Sequence, residues 1–294
     1  MAYQPRHTAT QHTLRLRGLE YSLNCWGDEQ APPLFLLHGW ADTGMTFQFL
    51  ADVLAGNWRL IAPDWRGFGK TDRAPGGYWF PDYLADLDAL LDQLSPDRPA
   101  RLIGHSMGGN IAWLYAGIRP GRVSHAVALD VFGLPDADPD EAPARYRQWL
   151  EQCRDGSRFA TYPDLDAVAD KLQELAPRLS RDQALFLTGS WSRKTDDGRY
   201  VPNADPVHRR INPILYRREE ARSCWRRITA RTLLLLAENS FLYRRYREDH
   251  VEGDLQECID NLVTAVVPDA GHMLHLDNPQ ALAGILEEFL AKPD

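Results

Sequence analysis

Short, continuously apolar runs recur along most of the chain, with helical patterns such as residues 83–94 between them and another at residues 280–290 after the last run. Because successive side chains of a strand point to opposite faces of its sheet, a strand without polar residues must be buried on both faces. Such strands are typical of a parallel sheet covered by helices, and they predict an α/β fold. The predicted strands of this kind are 34–37, 59–62, 102–103, 126–129, 233–236 and 262–267.

Two earlier runs, 13–17 and 20–26, alternate apolar and polar residues and are joined at Gly18. This pattern is typical of a hairpin of antiparallel strands with one solvated face. The hairpin is therefore expected at one edge of the sheet, which makes a mostly parallel sheet of eight strands.

Residues 133–225 interrupt the alternation of strands and helices, since no run there is as continuously apolar as the predicted strands. Helices are expected at 141–153, 165–175 and 181–188. We interpret this stretch as a helical cap inserted after the sixth strand, with residues 1–132 and 226–294 forming the core domain. Its aromatic residues are Tyr146, Trp149, Phe159, Tyr162, Phe186, Trp191, Tyr200 and Trp225.

The formal net charge of −8 argues against nucleic acid as a partner, because the phosphate backbone would be repelled. No apolar stretch is long enough to span a bilayer, and the N-terminal residues lack the apolar core of a secretory signal. The four cysteines are far apart and lack metal-ligand spacing. A cytoplasmic protein, as a monomer or a homodimer, is expected.

The pentapeptide Gly104-His105-Ser106-Met107-Gly108 lies between a predicted strand and a predicted helix. Glycines on both sides of the serine allow a sharp turn that lifts the hydroxyl above the sheet edge. The N-terminus of the following helix favours negative charge beside that hydroxyl. The motif alone is not specific, but its position between a strand and a helix predicts that Ser106 is a nucleophile.

Three further motifs accompany this turn in the expected order: His38-Gly39-Trp40, the segment from Asp64 to Gly69, and Gly271-His272-Met273. Together they resemble the α/β-hydrolase superfamily over nearly the whole chain, and within it the lid-bearing serine esterases and hydrolases. The resemblance implies Ser106 as the nucleophile and His272 as the base that removes its proton. It also implies that the backbone N–H groups of Trp40 and Met107 form the oxyanion hole.

The acid of the triad departs from the usual pattern of the superfamily. Ser240 occupies the place after the seventh strand where an aspartate is expected, and a serine carries no charge to stabilise an imidazolium. Asp130, at the end of the sixth strand, is the preferred substitute because some branches carry their acid there. Glu238 is the alternative acid, and the absence of any functional acid is a third possibility.

These features lead to the expectation of a serine hydrolase that cleaves a small hydrophobic or aryl carboxylic ester through an acyl-enzyme, with no cofactor and no metal. Trp40, Trp149 and Trp191 are candidates for the substrate pocket. Carbon–carbon bond hydrolases, thioesterases and perhydrolases with the same triad are alternatives. Haloalkane dehalogenases and epoxide hydrolases are disfavoured, since their nucleophile is an aspartate. A ligand-binding protein without catalysis is also kept open.

Overall fold

In the computed structural model, which describes residues 2–249 and 251–291, the chain is built around a sheet of eight strands. The spatial order of the strands is β1-β2-β4-β3-β5-β6-β9-β10. Their bounds are β1 Thr10–Leu16, β2 Leu19–Trp26, β3 Pro33–Leu37, β4 Arg59–Pro63, β5 Ala100–His105, β6 Val123–Leu129, β9 Arg231–Ala237 and β10 Leu262–Val267.

The predicted sheet and the hairpin at its edge are both confirmed. Strands β1 and β2 pair antiparallel through the turn at Arg17 and Gly18, and β2 also pairs antiparallel with β4. From β4 to β10 every pairing is parallel. Because the central strands run the same way, all their carboxyl ends meet at one edge.

The sheet separates two apolar layers, as strands without polar residues require. On β3, Phe35 and Leu37 pack into one layer, while Leu34 and Leu36 pack into the other. The helices that flank the sheet are α1 Gln48–Leu54, α2 Phe80–Leu94, α3 Met107–Ile118, α8 Phe241–Glu248, α9 Val251–Gln256, α10 Leu274–Asp277 and α11 Pro279–Ala291. None of the helices in the described part of the chain is long and apolar enough to cross a membrane.

Residues 133–225 contain the expected helices together with one more helix and a short hairpin that we did not expect. The elements are α4 Ala142–Asp155, α5 Leu165–Leu175, α6 Arg181–Trp191, β7 Ser192–Lys194, β8 Tyr200–Pro202 and α7 Arg218–Trp225. Side chains of α5 and α6 form an apolar cluster that includes Phe49 and Leu276 of the core. The role of this segment as a separate cap stays a prediction.

Candidate active site

Ser106 lies at the sharp turn between β5 and α3. Its φ of 50° and ψ of −115° are rare for a residue with a side chain, and helix α3 begins at the next residue, Met107. The flanking glycines allow this turn because a Cβ on Gly104 would lie 2.1 Å from the carbonyl oxygen of Gly108. A Cβ on Gly108 would lie 2.0 Å from the carbonyl oxygen of Leu37. The sequence thus holds the serine in a strained conformation at the carboxyl edge of the sheet.

Asp130 follows β6 at the same edge and meets the imidazole of His272. The two atoms, Asp130 Oδ2 and His272 Nδ1, are 2.8 Å apart. The other carboxylate oxygen of Asp130 accepts hydrogen bonds from the backbone N–H of Ala237 (3.0 Å) and the hydroxyl of Ser240 (2.9 Å). Because the carboxylate is fully buried, these donors compensate for the water that it has lost.

Glu238, the alternative acid, is in a different position. Its side chain is exposed, and Oε2 accepts a hydrogen bond of 2.8 Å from the backbone N–H of Asp269. The structure therefore brings Asp130, rather than Glu238, to Nδ1 of His272.

Ser240 lies where the superfamily usually places the acid, and the sequence alone did not reveal what it does there. Its hydroxyl donates to Asp130 and accepts from the backbone N–H of Tyr243, which caps helix α8. A serine ahead of a helix is a typical N-cap, so the capping contact could have been predicted from the sequence. The contact with Asp130 depends on β6 and β9 being neighbours.

His105 supports the loop that carries His272. Its Nε2 donates a hydrogen bond of 2.8 Å to the backbone carbonyl of His272. Burial holds the pKa of His105 well below its usual range, with nearby His275 and His272 adding to the effect, so the ring is neutral.

The loop after β3, which carries Trp40, is fixed by the ring of His38. Nδ1 of His38 donates to the carbonyl of Gly39 (2.7 Å), and Nε2 accepts the backbone N–H of Trp65 (2.9 Å). Burial lowers the pKa of His38 to about 3, and this keeps the ring in the neutral form that these two hydrogen bonds require.

Ser106 and His272 line the same cavity, whose volume is about 450 Å³. Within residues 2–249 and 251–291, no hydrogen bond joins the Ser106 hydroxyl to the His272 ring, and catalytic hydrogen bonds are often loose before substrate binds. Trp40 and Trp191 also line this cavity, whereas Trp149 lines a neighbouring one of about 280 Å³. Lining residues that we did not single out from the sequence include Lys171 and Arg209.

One buried group among the described residues has side chains suited to a metal ion, namely Asp42, His105 and His275, with one ligand atom from each within 4.8 Å of the others. Ligand atoms around tetrahedral Zn²⁺ lie only about 3.4 Å apart, given metal–ligand bonds of about 2.1 Å. The distances between ligand atoms in this group can reach 4.8 Å, which does not by itself indicate a bound ion.

Comparison with known proteins places this geometry in context. A family model described as the alpha/beta hydrolase fold matches residues 32–279. The chain is 27% identical to a serine hydrolase-like protein of Danio rerio, over 97% of this chain and 89% of that protein. It is 31% identical to epoxide hydrolase 3 of Xenopus tropicalis, over 93% of this chain and 75% of that protein.

Among solved structures, the thioesterase domain from the curacin biosynthetic pathway has a similar fold, with a TM-score of 0.84. The alignment covers 95% of this chain and 99% of that domain at 24% identity. At this level of identity the likeness concerns the fold alone.

Proposed function

The chain belongs to the alpha/beta hydrolase fold family and is a hydrolase, and we propose that it cleaves carboxylic esters with a hydrophobic or aryl group through an acyl-enzyme on Ser106. The observation that supports this most directly is the 2.8 Å contact between His272 Nδ1 and Asp130 Oδ2. That contact leaves Nε2 of His272 as the ring nitrogen that exchanges protons with Ser106.

In the proposed reaction, Ser106 Oγ forms a bond to the ester carbonyl carbon while His272 takes the hydroxyl proton. The backbone N–H groups of Trp40 and Met107 stabilise the oxyanion. The C–O bond to the alcohol then breaks, and His272 returns the proton to the departing oxygen. Water, deprotonated by the same imidazole, releases the acid and restores Ser106. Asp130 stabilises the imidazolium at both stages, and no cofactor takes part.

We also propose that residues 133–225 act as the cap that selects the substrate. Trp191, Phe159 and Tyr162 of this segment line the cavity that holds Ser106. Their apolar surface favours a hydrophobic group over a highly charged one.

Epoxide hydrolysis, suggested by the name of the Xenopus relative, fits Ser106 less well. A carboxylate that opens an epoxide forms an ester, which water can then hydrolyse. A serine alkoxide would form an alkyl ether, which has no carbonyl for water to attack. Thioesters and carbon–carbon bonds beside a carbonyl pass through the same acyl-enzyme, so thioesterase, carbon–carbon hydrolase and perhydrolase activities are the relevant alternatives.

The proposal is tested by labelling the protein with a fluorophosphonate at neutral pH and locating the adduct by mass spectrometry. We expect one adduct, on Ser106, and a loss of esterase activity of at least about 10³-fold in Ser106→Ala. Ser223→Ala is the control because Ser223 is an exposed residue of α7. An unlabelled Ser106 would contradict the proposal and favour a ligand-binding protein.

A panel of activated esters, thioesters and ring-cleavage products then ranks the chemistries that share the acyl-enzyme. A higher kcat/KM for the esters is expected, and a preference for either of the other two classes would replace the ester assignment.

A further inference from the structure

Two cavities lie beside the turn that carries Ser106. Ser106 and His272 line the larger, of about 450 Å³, while Met107 and Trp149 line the smaller, of about 280 Å³. Among the residues that the structure describes, Trp40 alone lines both cavities. The backbone of the same residue belongs to the proposed oxyanion hole, so the shared residue lies beside the proposed position of the reacting carbonyl.

The indole of Trp40, the residue that lines both cavities, contacts the segment 133–225. This side chain is 48% exposed, and it packs against Phe159 with ring centroids 6.3 Å apart. The guanidinium of Arg209 covers the Phe159 ring at 5.7 Å. Arg209 lines the larger cavity, whereas its neighbours His208 and Arg210 line the smaller one. The core and residues 133–225 thus meet at the residue that the two cavities share.

We propose that Trp40 is a specificity-determining residue whose indole separates two substrate subsites, with the acyl group in the smaller cavity and the leaving alcohol in the larger. This inference rests on the proposed ester hydrolysis. It assigns the group on each side of the scissile bond to one of the two cavities, and it names the chemical class of acyl group that fits.

The position of His272 assigns the leaving alcohol to the larger cavity. When the C–O bond breaks, His272 must deliver the proton taken from Ser106 to the departing oxygen. The same imidazole must then remove a proton from the incoming water, which therefore enters where the alcohol left. His272 lines the larger cavity and not the smaller one.

The lining of the smaller cavity assigns it an aryl acyl group. Met107, whose N–H is proposed to hold the oxyanion, lines this cavity. Aromatic rings pack well against one another in offset and edge-on arrangements, so a wall rich in them favours an aromatic acid. The aromatic side chains that line this cavity are Tyr78, Trp79, Phe80, Tyr83 and Trp149, besides Trp40.

The experiment measures kcat/KM for four esters that combine a butanoyl or phenylacetyl acyl group with a methyl or 2-naphthylmethyl alcohol. Trp149→Ala alters the smaller cavity alone, and Leu175→Ala alters the larger cavity alone. Neither Trp149 nor Leu175 is buried, so both variants are expected to fold. Circular dichroism and thermal unfolding check this expectation.

We expect Trp149→Ala to lower the preference for phenylacetyl over butanoyl about tenfold with either alcohol. Leu175→Ala should change only the preference between the alcohols. Trp40→Ala, which keeps the backbone N–H, should weaken both preferences by joining the cavities.

If Trp149→Ala changed the preference between alcohols and Leu175→Ala the preference between acyl groups, the assignment of these groups to the two cavities would be overturned. Unchanged preferences in both variants would overturn the proposal that the two cavities are substrate subsites. Failure of the proposed function is distinguishable, because the wild-type protein would then hydrolyse none of the four esters and take no fluorophosphonate adduct.

Discussion

At the scale of single residues, the proposed acid follows a different strand from the aspartate that the superfamily usually uses, which comes after the seventh strand of the sheet. Asp130 reaches His272 from β6, and its backbone has a φ of 49°, in the left-handed region that aspartate tolerates better than most residues. Ser240 then supplies a donor to the carboxylate from β9's side. Asp130 lies at a different place along the chain from the usual aspartate, but its carboxylate reaches the ring nitrogen Nδ1 of the histidine as that aspartate does.

Replacing Asp130 by asparagine is expected to lower kcat by about 10³- to 10⁴-fold, because an amide neither stabilises the imidazolium nor holds the correct tautomer of His272. Glu238→Gln is the matched control and should change kcat less than about threefold, since the exposed Glu238 carboxylate accepts a hydrogen bond from the backbone of Asp269 and not from His272. Steady-state kinetics on an activated ester measures both. A larger loss in Glu238→Gln would contradict the assignment of the acid.

Ser240→Ala is expected to lower kcat about tenfold with little change in KM, because it removes a donor worth about 1.5 kcal/mol or more to a charged acceptor without touching either cavity. It should also lower the free energy of unfolding by about 1 kcal/mol or more through loss of the helix cap. Ser180→Ala removes the N-cap of α6 and serves as the control.

Urea unfolding and steady-state kinetics separate the two effects of these caps. Ser180→Ala should lose a similar amount of stability and keep its kcat. Equal kcat values for the two variants would show that Ser240 acts on the helix alone.

The sequence indicated which residues follow strands, and therefore that Ser106, Asp130 and His272 share an edge of the sheet. It favoured Asp130 as the acid but left Glu238 open, because the two residues follow neighbouring strands of the sheet. It also did not reveal the hydrogen bond from Ser240 to Asp130. That contact joins residues 110 positions apart, and a local pattern contains no information about such a pair.

At the scale of elements, the turn from β5 to α3 is set by close backbone contacts. The carbonyl oxygen of Gly108 occupies the space that a side chain on Gly104 would need. Since the obstacle is backbone rather than a flexible side chain, the turn cannot relax around a larger residue without moving α3.

Gly104→Ala is therefore expected to lower the free energy of unfolding by more than about 3 kcal/mol, as overpacking against backbone does. Gly284→Ala, in the exposed part of α11, has nothing within 4 Å of the added Cβ and should raise stability by about 0.5–1 kcal/mol. Urea denaturation measures both. A Gly104→Ala protein within 1 kcal/mol of the wild type would contradict the role given to these contacts.

Some elements of the fold could be predicted from the sequence, whereas others could not. The central strands were recognisable because burial on both faces leaves a continuous apolar run, as in β9, where Leu233 and Leu234 enter opposite layers. The hairpin of β7 and β8 was missed, since each strand has three residues and includes Arg193 and Lys194 or Tyr200. Strands this short carry no periodicity that could be read.

At the scale of the whole molecule, the edge that holds the site also buries many groups that titrate. Burial lowers the pKa of His38 and His275 to about 3, that of His208 to about 4, and that of His105 well below its usual range. Burial also raises the pKa of Asp42 to about 7 and that of Asp64 to about 6. The two kinds of shift act on stability in opposite directions.

Between about pH 4.5 and 5.5, the unfolded chain binds four protons on these histidines, whose ordinary pKa is about 6.5, and none on the two carboxylates. The folded chain binds two on the carboxylates and none on the histidines. Unfolding therefore takes up about two protons on these six side chains, and stability falls by about 3 kcal/mol per pH unit as the pH decreases. The stabilisation from the neutral histidines is fully present only above about pH 6.5.

The midpoint of urea unfolding should accordingly be lower at pH 5 than at pH 7. His275→Gln removes one of the protons taken up on unfolding, because the imidazole that binds it in the unfolded chain is gone, and should reduce the slope by about half. His12→Gln, at an exposed position of β1, is the control and should leave the slope unchanged. A midpoint that stays constant or rises on acidification would mean that the carboxylates outweigh the histidines, and that water reaches these rings in the folded protein.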